Sequence, residues 1–227
     1  MRSITLTLVL GLVFASSAAF GQSIVGSSHD FSNGSGNVET NTAQICVFCH
    51  VPHGAIDMDA GSTAGDNYEL LWNRNLYDSS TGGWSLYAGN FVAANTPLDE
   101  TDMGPESIAC LSCHDGTLGL DSLANVPSDA GAGITITADA NSTIGVTNLL
   151  EGYVLVGRDM SNDHPVGLLY ADEQGTNGDL FANPTDTILF NGKVECGSCH
   201  NPHDTTLPSF LRDDPAGSLI CLDCHDK

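Results

Sequence analysis

The eight cysteines fall in four pairs, Cys46/Cys49, Cys110/Cys113, Cys196/Cys199 and Cys221/Cys224. Each pair is a C-x-x-C, and each is followed at once by a histidine: His50, His114, His200 and His225. C-x-x-C-H is the attachment motif of c-type haem. Two thiols three positions apart form thioethers with the two vinyl groups on one haem edge, and the next residue drops its imidazole onto the iron.

Three other readings of the cysteines fail on the histidines. An exported disulfide framework fits the even count but gives no reason for a His after every pair. A zinc ribbon spends two C-x-x-C pairs on one metal and likewise needs no trailing His. A thioredoxin-like redox motif occurs once, in a βαβ setting. With 8 His in 227 positions, four trailing His by chance has odds on the order of one in a million. Four covalent haems c are therefore expected.

The histidine count sets the expected ligation. Four His are proximal, and the other four, His29, His53, His164 and His203, equal the number of sixth positions to be filled. Met58, Met103 and Met160 share no context. Bis-His ligation at all four irons follows.

An internal repeat points the same way. The first half reads His29, then CVFCHVPH with His53, then CLSCH; the second reads His164, then CGSCHNPH with His203, then CLDCH. A histidine three residues beyond a proximal His cannot reach the opposite face of the same haem, but it can reach a neighbour's iron. The expected pairing is His53 with the Cys110/Cys113 haem and His203 with the Cys221/Cys224 haem. By elimination, His29 serves the Cys46/Cys49 haem and His164 the Cys196/Cys199 haem. His29 stands near the start of the mature chain, where a ligand reaches its own haem or a neighbouring subunit's equally well.

The elements that must carry these residues are short. Each C-x-x-C-H needs about one helical turn. Pro52 and Pro202 end those turns and leave the second imidazole on extended chain. Tyr68, Leu71, Trp72 and Leu76 recur near the helical period, which predicts a helix over 67–77. Residues 133–138 alternate as a strand, with 152–156 as its partner. Trp72, Trp84, Tyr77 and Tyr87 are expected to pack on haem faces or in the first unit's insertion. A chain with 25 Gly makes many turns and little regular structure. The fold class expected is a coil-rich multihaem cytochrome with short helices at the haem motifs, a few short strands, and a core formed mainly by haems.

Composition narrows the function classes. A formal charge of −22 argues against nucleic acid and anionic membrane surfaces, which need clustered Lys and Arg. Residues 1–21 carry a basic start, an apolar run from Ile4 to Phe14 and a small-residue zone. They read as a signal peptide cut after Gly21, or alternatively after Ser17-Ala18-Ala19. The mature chain has no membrane span. Residues 22–125 form a first two-haem module with an insertion, 126–158 a strand-rich linker and 159–227 a second two-haem module.

The strings CVFCHVPHGA, LLWNRNLYD, CLSCHDGT, DHPVGLLY, VECGSCHNPHD and FLRDDPAGSLICLDCHDK resemble the paired (doubled) CXXCH-motif multihaem cytochromes, exported electron carriers of metal-reducing and related bacteria. The same eight His map onto that family's axial ligands. The resemblance implies outer-sphere electron transfer to other multihaem cytochromes or extracellular acceptors. For filament-forming members it implies a homopolymer with a continuous haem chain. Two carriers fit: a conductive filament subunit at the cell surface, and a soluble periplasmic shuttle. A multihaem reductase needs an open iron, and here every motif is unmodified with enough His to close each site. An enzyme is not expected.

Overall fold

The computed structural model describes residues 23–33, 38–56, 70–76, 83–87, 89, 98–137, 154–176, 179–182, 184 and 187–226. The expected signal segment 1–21, Met58 and Tyr77 lie outside them, as do parts of the expected helix and strands.

Regular structure is sparse. Strands β1 (Glu39–Thr40) and β2 (Ile136–Thr137) pair antiparallel, with Glu39 opposite Thr137. Strands β3 (Leu168–Leu169) and β4 (Lys193–Val194) form a second two-stranded sheet, with Leu168 opposite Val194. Helices are α1 (Pro105–His114), α2 (Tyr170–Thr176), α3 (Cys196–Cys199) and α4 (Leu219–Leu222), with 3-10 turns at Cys46–Phe48 and Pro208–Phe210. All four C-x-x-C-H motifs therefore sit on helical turns. No helix among the described residues is long and apolar enough to cross a membrane.

The longest helix, α1, has local reasons to form. Pro105 opens it, Glu106 faces its positive end and His114 its negative end, each the favoured residue for its position. In α3 the Glu195 backbone N–H donates to Ser198 Oγ at 2.9 Å, and the helix stops at Cys199, where His200 turns extended (φ −115°, ψ 136°).

One expectation is corrected. Residues 70–76 are not helical. Leu71 sits at φ 52°, and the segment lies against the first haem motif, with Trp72 bridging to His50 and Arg74 to Leu123. Backbone bonding to the motif outweighs the helical spacing of the apolar residues. Within 133–138 the strand Ile136–Thr137 pairs with β1, and Gly152 and Tyr153 of its expected partner lie outside the described residues. Val156 N–H donates to His114 O at 2.8 Å.

Buried apolar side chains gather in three small clusters. One joins Val38, Val47, Phe48, Leu120 and Leu123; a second joins Leu86, Met103, Leu111 and Met160; a third joins Trp72 and Ala109. All three flank the first two motifs. From Cys199 to Asp226 no side chain is buried, and Leu219, two residues before Cys221, is 49% exposed.

Candidate haem sites

Each motif is held by a second stretch of backbone, and the first and third motifs are held alike. At the first, Val51 N–H donates to Leu71 O (2.9 Å) and Asn73 N–H to Cys49 O (2.9 Å). At the third, Asn201 N–H donates to Phe210 O (2.7 Å) and Arg212 N–H to Cys199 O (2.9 Å). Trp72 bridges His50 as Leu211 bridges His200. Leu71 and Phe210 both take positive φ, 52° and 59°. The duplication thus includes a clamp segment, 70–74 in one half and 209–213 in the other. Sequence comparison missed it because LLWNR and SFLRD share almost no side chains; what repeats is backbone bonding.

The clamps orient the imidazoles. His50 Nδ1 donates to Leu70 O (2.6 Å), His200 Nδ1 to Ser209 O (2.8 Å) and His114 Nδ1 to Val154 O (2.7 Å). A carbonyl only accepts, so the proton is on Nδ1 and Nε2 is free to face a metal.

Three histidine couples stand at one spacing. Ring centres are 6.1 Å apart for His29 and His114, 6.0 Å for His50 and His203, and 6.4 Å for His164 and His225. Two metal–imidazole bonds of about 2 Å with one ion between them set ring centres roughly 6 Å apart. The residues therefore fit a bis-imidazole metal. Burial holds His29 down to about 4, with the neighbouring His114, His203 and His200 adding to the effect. Burial also lowers His114 and His203. Neutral imidazole is the form that ligates. Phe210 stacks on His29 at 4.4 Å and 12°, which fixes the plane of that ring.

These couples correct the expected pairing. His29 faces His114 of the second motif and not His50. His203 faces His50 of the first motif and not His225. His164 faces His225 of the fourth motif and not His200. His53 and His200 remain, both exposed, and no ring contact joins them. His203 of the second C-H-x-P-H string does lie beside a motif other than its own. For His203 the motif reached is the first and not the next in sequence.

The cysteines interleave. Burial pushes Cys49 up to about 12, and the nearby Cys113 thiol adds to it. Cys110 and Cys196 share a thiol–thiol hydrogen bond that raises the first and lowers the second. Cys199 is raised by burial and by Cys224. Neighbouring motifs thus abut in chain order, with α1 packed on α3. Glu195, 1% exposed, locks that contact. One of its carboxylate oxygens accepts from Gly104 N–H (2.8 Å) and the other from the Ser107 hydroxyl, whose Oγ accepts from Cys196 N–H (3.0 Å). Desolvation holds Glu195 above the usual carboxylate range, with the two hydrogen bonds pulling down and nearby Glu106 pushing up. At the fourth motif the buried Tyr170 hydroxyl donates to Phe181 O (2.8 Å) and Cys224 O (3.2 Å).

Of the expected aromatics, Trp72 lies edge-on to His50 at 5.8 Å, and Trp84 donates to Asp115 Oδ2 at 3.2 Å beside the second motif. Among the described residues no group of three or more His, Cys, Asp and Glu converges as a zinc or calcium site would.

Residues 190–227 match the family model described as "Doubled CXXCH motif". The match covers Cys196–His200 and Cys221–His225. It points to a multihaem c-type cytochrome, with haem c bound covalently at the C-x-x-C-H strings, and to electron transfer. No curated protein matches the chain.

Proposed function

We propose that the chain is a tetrahaem c-type cytochrome with four bis-His irons that carries electrons outside the cytoplasm. Its length, export signal and motif count resemble the tetrahaem filament subunit OmcE, and on that likeness we infer that it polymerises into a conductive filament at the cell surface. The observation that carries the haem reading is the set of three histidine couples at 6.0–6.4 Å, each joining the proximal His of one motif to a His from elsewhere in the chain. By elimination His53 completes the site of the third motif. His53 and His203 are then exchanged reciprocally, each C-H-x-P-H string supplying the sixth ligand of the other's haem. His29 beside His114 favours ligation within the chain for that residue.

When bound, each haem supplies a one-electron ferric–ferrous couple whose potential follows axial ligand, burial and nearby charge. The chain's part is to close both axial positions with neutral imidazoles. Carbonyls of Leu70, Val154 and Ser209 fix three of the rings, and abutting motifs bring successive sites together. Closed axial positions leave no place for substrate, which favours a carrier over a reductase.

The reading of ligation is tested on the purified holoprotein. The mass of four haems after acid–acetone extraction and a wholly low-spin ferric spectrum are expected. One high-spin haem in four would return the reductase reading. Electron microscopy of secreted material tests the polymer: filaments are expected, and a monodisperse monomer would leave the soluble periplasmic shuttle.

A further inference from the structure

Arg74 is one of six Lys and Arg in the chain, and it is 0% exposed. Its guanidinium donates only to backbone: Nη1 to Leu120 O (2.9 Å), Nη2 to Gly119 O (2.7 Å) and Ser112 O (3.3 Å). Its Nε has no hydrogen-bond partner. Among the described residues no carboxylate pairs with it. A buried charge without a counter-ion is expensive, and here it is placed between two motifs. Its neighbour Asn73 bonds Cys49 O, and Ser112 lies between Cys110 and Cys113.

The clamp repeat gives the comparison. Asn73 corresponds to Arg212 by their equivalent bonds to Cys49 O and Cys199 O, so Arg74 corresponds to Asp213. The same place beside the third motif holds a half-buried carboxylate, whose Oδ1 accepts from Asp214 N–H (2.7 Å). In the second half the Arg212 guanidinium also reaches the motif, its Nε donating to Gly197 O (2.6 Å), but Asp213 stands next to it, whereas in the first half Arg74 follows the neutral Asn73. Exposed acids over the rest of the surface are screened by salt, whereas a fully enclosed guanidinium is not.

We propose that Arg74 sets a potential step along the haem chain: its enclosed charge holds the haems of Cys46/Cys49 and Cys110/Cys113 at higher reduction potential than those of the second half. Added electrons then rest in the first half. Each step is the gain of one electron by ferric iron from the reductant or the neighbouring haem, with no bond made or broken. The inference rests on the haem reading above.

The test is a redox titration of the holoprotein followed haem by haem through NMR of the haem methyl groups. Arg74→Met should move the two first-half potentials negative and leave the second-half pair in place. Arg74→Lys, which keeps the charge and loses the fork of bonds, should stay near wild type. Unmoved potentials in Arg74→Met, or an equal fall in Arg74→Lys, would overturn the proposal. If Arg74→Met does not assemble, Asp213→Lys carries the test, with a rise expected at the Cys196/Cys199 haem and no rise overturning it. Intact mass is recorded on every sample. Wild type lacking haem at the first two motifs defeats the haem reading, whereas fully loaded protein with unmoved potentials defeats only the role of Arg74.

Discussion

His203 stands opposite His50 with ring centres 6.0 Å apart and planes 20° from parallel. The C-H-x-P-H string of the second half thus delivers its second histidine to the first motif of the first half. A short string that cannot turn back on its own haem is satisfied by a partner far away in sequence. The two halves thus meet through this histidine couple as well as through α1 and α3.

His203→Ala should therefore open the iron at Cys46/Cys49 and leave the Cys221/Cys224 iron six-coordinate. Carbon monoxide binding to the reduced variant, assigned by haem methyl NMR, reports which iron is open. Opening at Cys221/Cys224 would restore pairing with the next motif in sequence.

The ring planes differ between couples: 20° for His50 and His203, 63° for His29 and His114, 78° for His164 and His225. Near-parallel imidazoles split the iron π-orbitals, whereas near-perpendicular ones leave them almost degenerate. Ferric EPR should show one well-resolved rhombic low-spin signal alongside broad signals of large maximum g. Loss of the rhombic signal in His203→Ala ties it to the first motif. A single rhombic species for all haems would contradict these planes.

Glu195 gives a stability test with a defined sign. Burial raises its folded value, so the folded state binds more protons than the unfolded one. The carboxyl's stabilisation is then fullest below the ordinary glutamate value of about 4.3 and is lost as pH rises through the folded value. Glu195→Gln cannot accept from both Gly104 N–H and the Ser107 hydroxyl. It should be less stable than wild type by about 1–3 kcal/mol at acid pH, with the margin narrowing as pH rises. Denaturant melts across that window check it, and a margin that widens with pH would contradict the burial argument.

The stretch from Cys199 to Asp226 buries none of its side chains, and Leu219 and Leu222 flank Cys221 at 49% and 39% exposure. Apolar surface of this kind is stabilised only when something covers it. Chain made without haem attachment should be cut by an aspartate-directed protease at Asp213, Asp214 and Asp223 far faster than holoprotein. Cleavage at Asp115 in the first half should be slower, since that residue is only 5% exposed. Equal rates in the two halves would mean that the first half also needs haem to pack.

By itself the sequence determined the chemistry. The C-x-x-C-H strings name haem c as the cofactor, because thioether attachment and proximal ligation are local to five residues, and the eight histidines supply the candidates for its ligands. It also determined that the motifs sit on helical turns, and that so Gly-rich a chain keeps few regular elements. Which histidine meets which motif was decided only by the tertiary structure, because a sixth ligand comes from elsewhere in the chain and sequence order carries no distance. The clamp segments 70–74 and 209–213 were hidden for a related reason. Their apolar spacing at Leu71, Trp72 and Leu76 reads as helix, but hydrogen bonds to Cys49 and Val51 hold them extended with Leu71 at positive φ. The enclosure of Arg74 and Glu195 was equally invisible, since burial of a charge depends on carbonyls and hydroxyls contributed by α1 and the loop after it, which only the folded chain brings together.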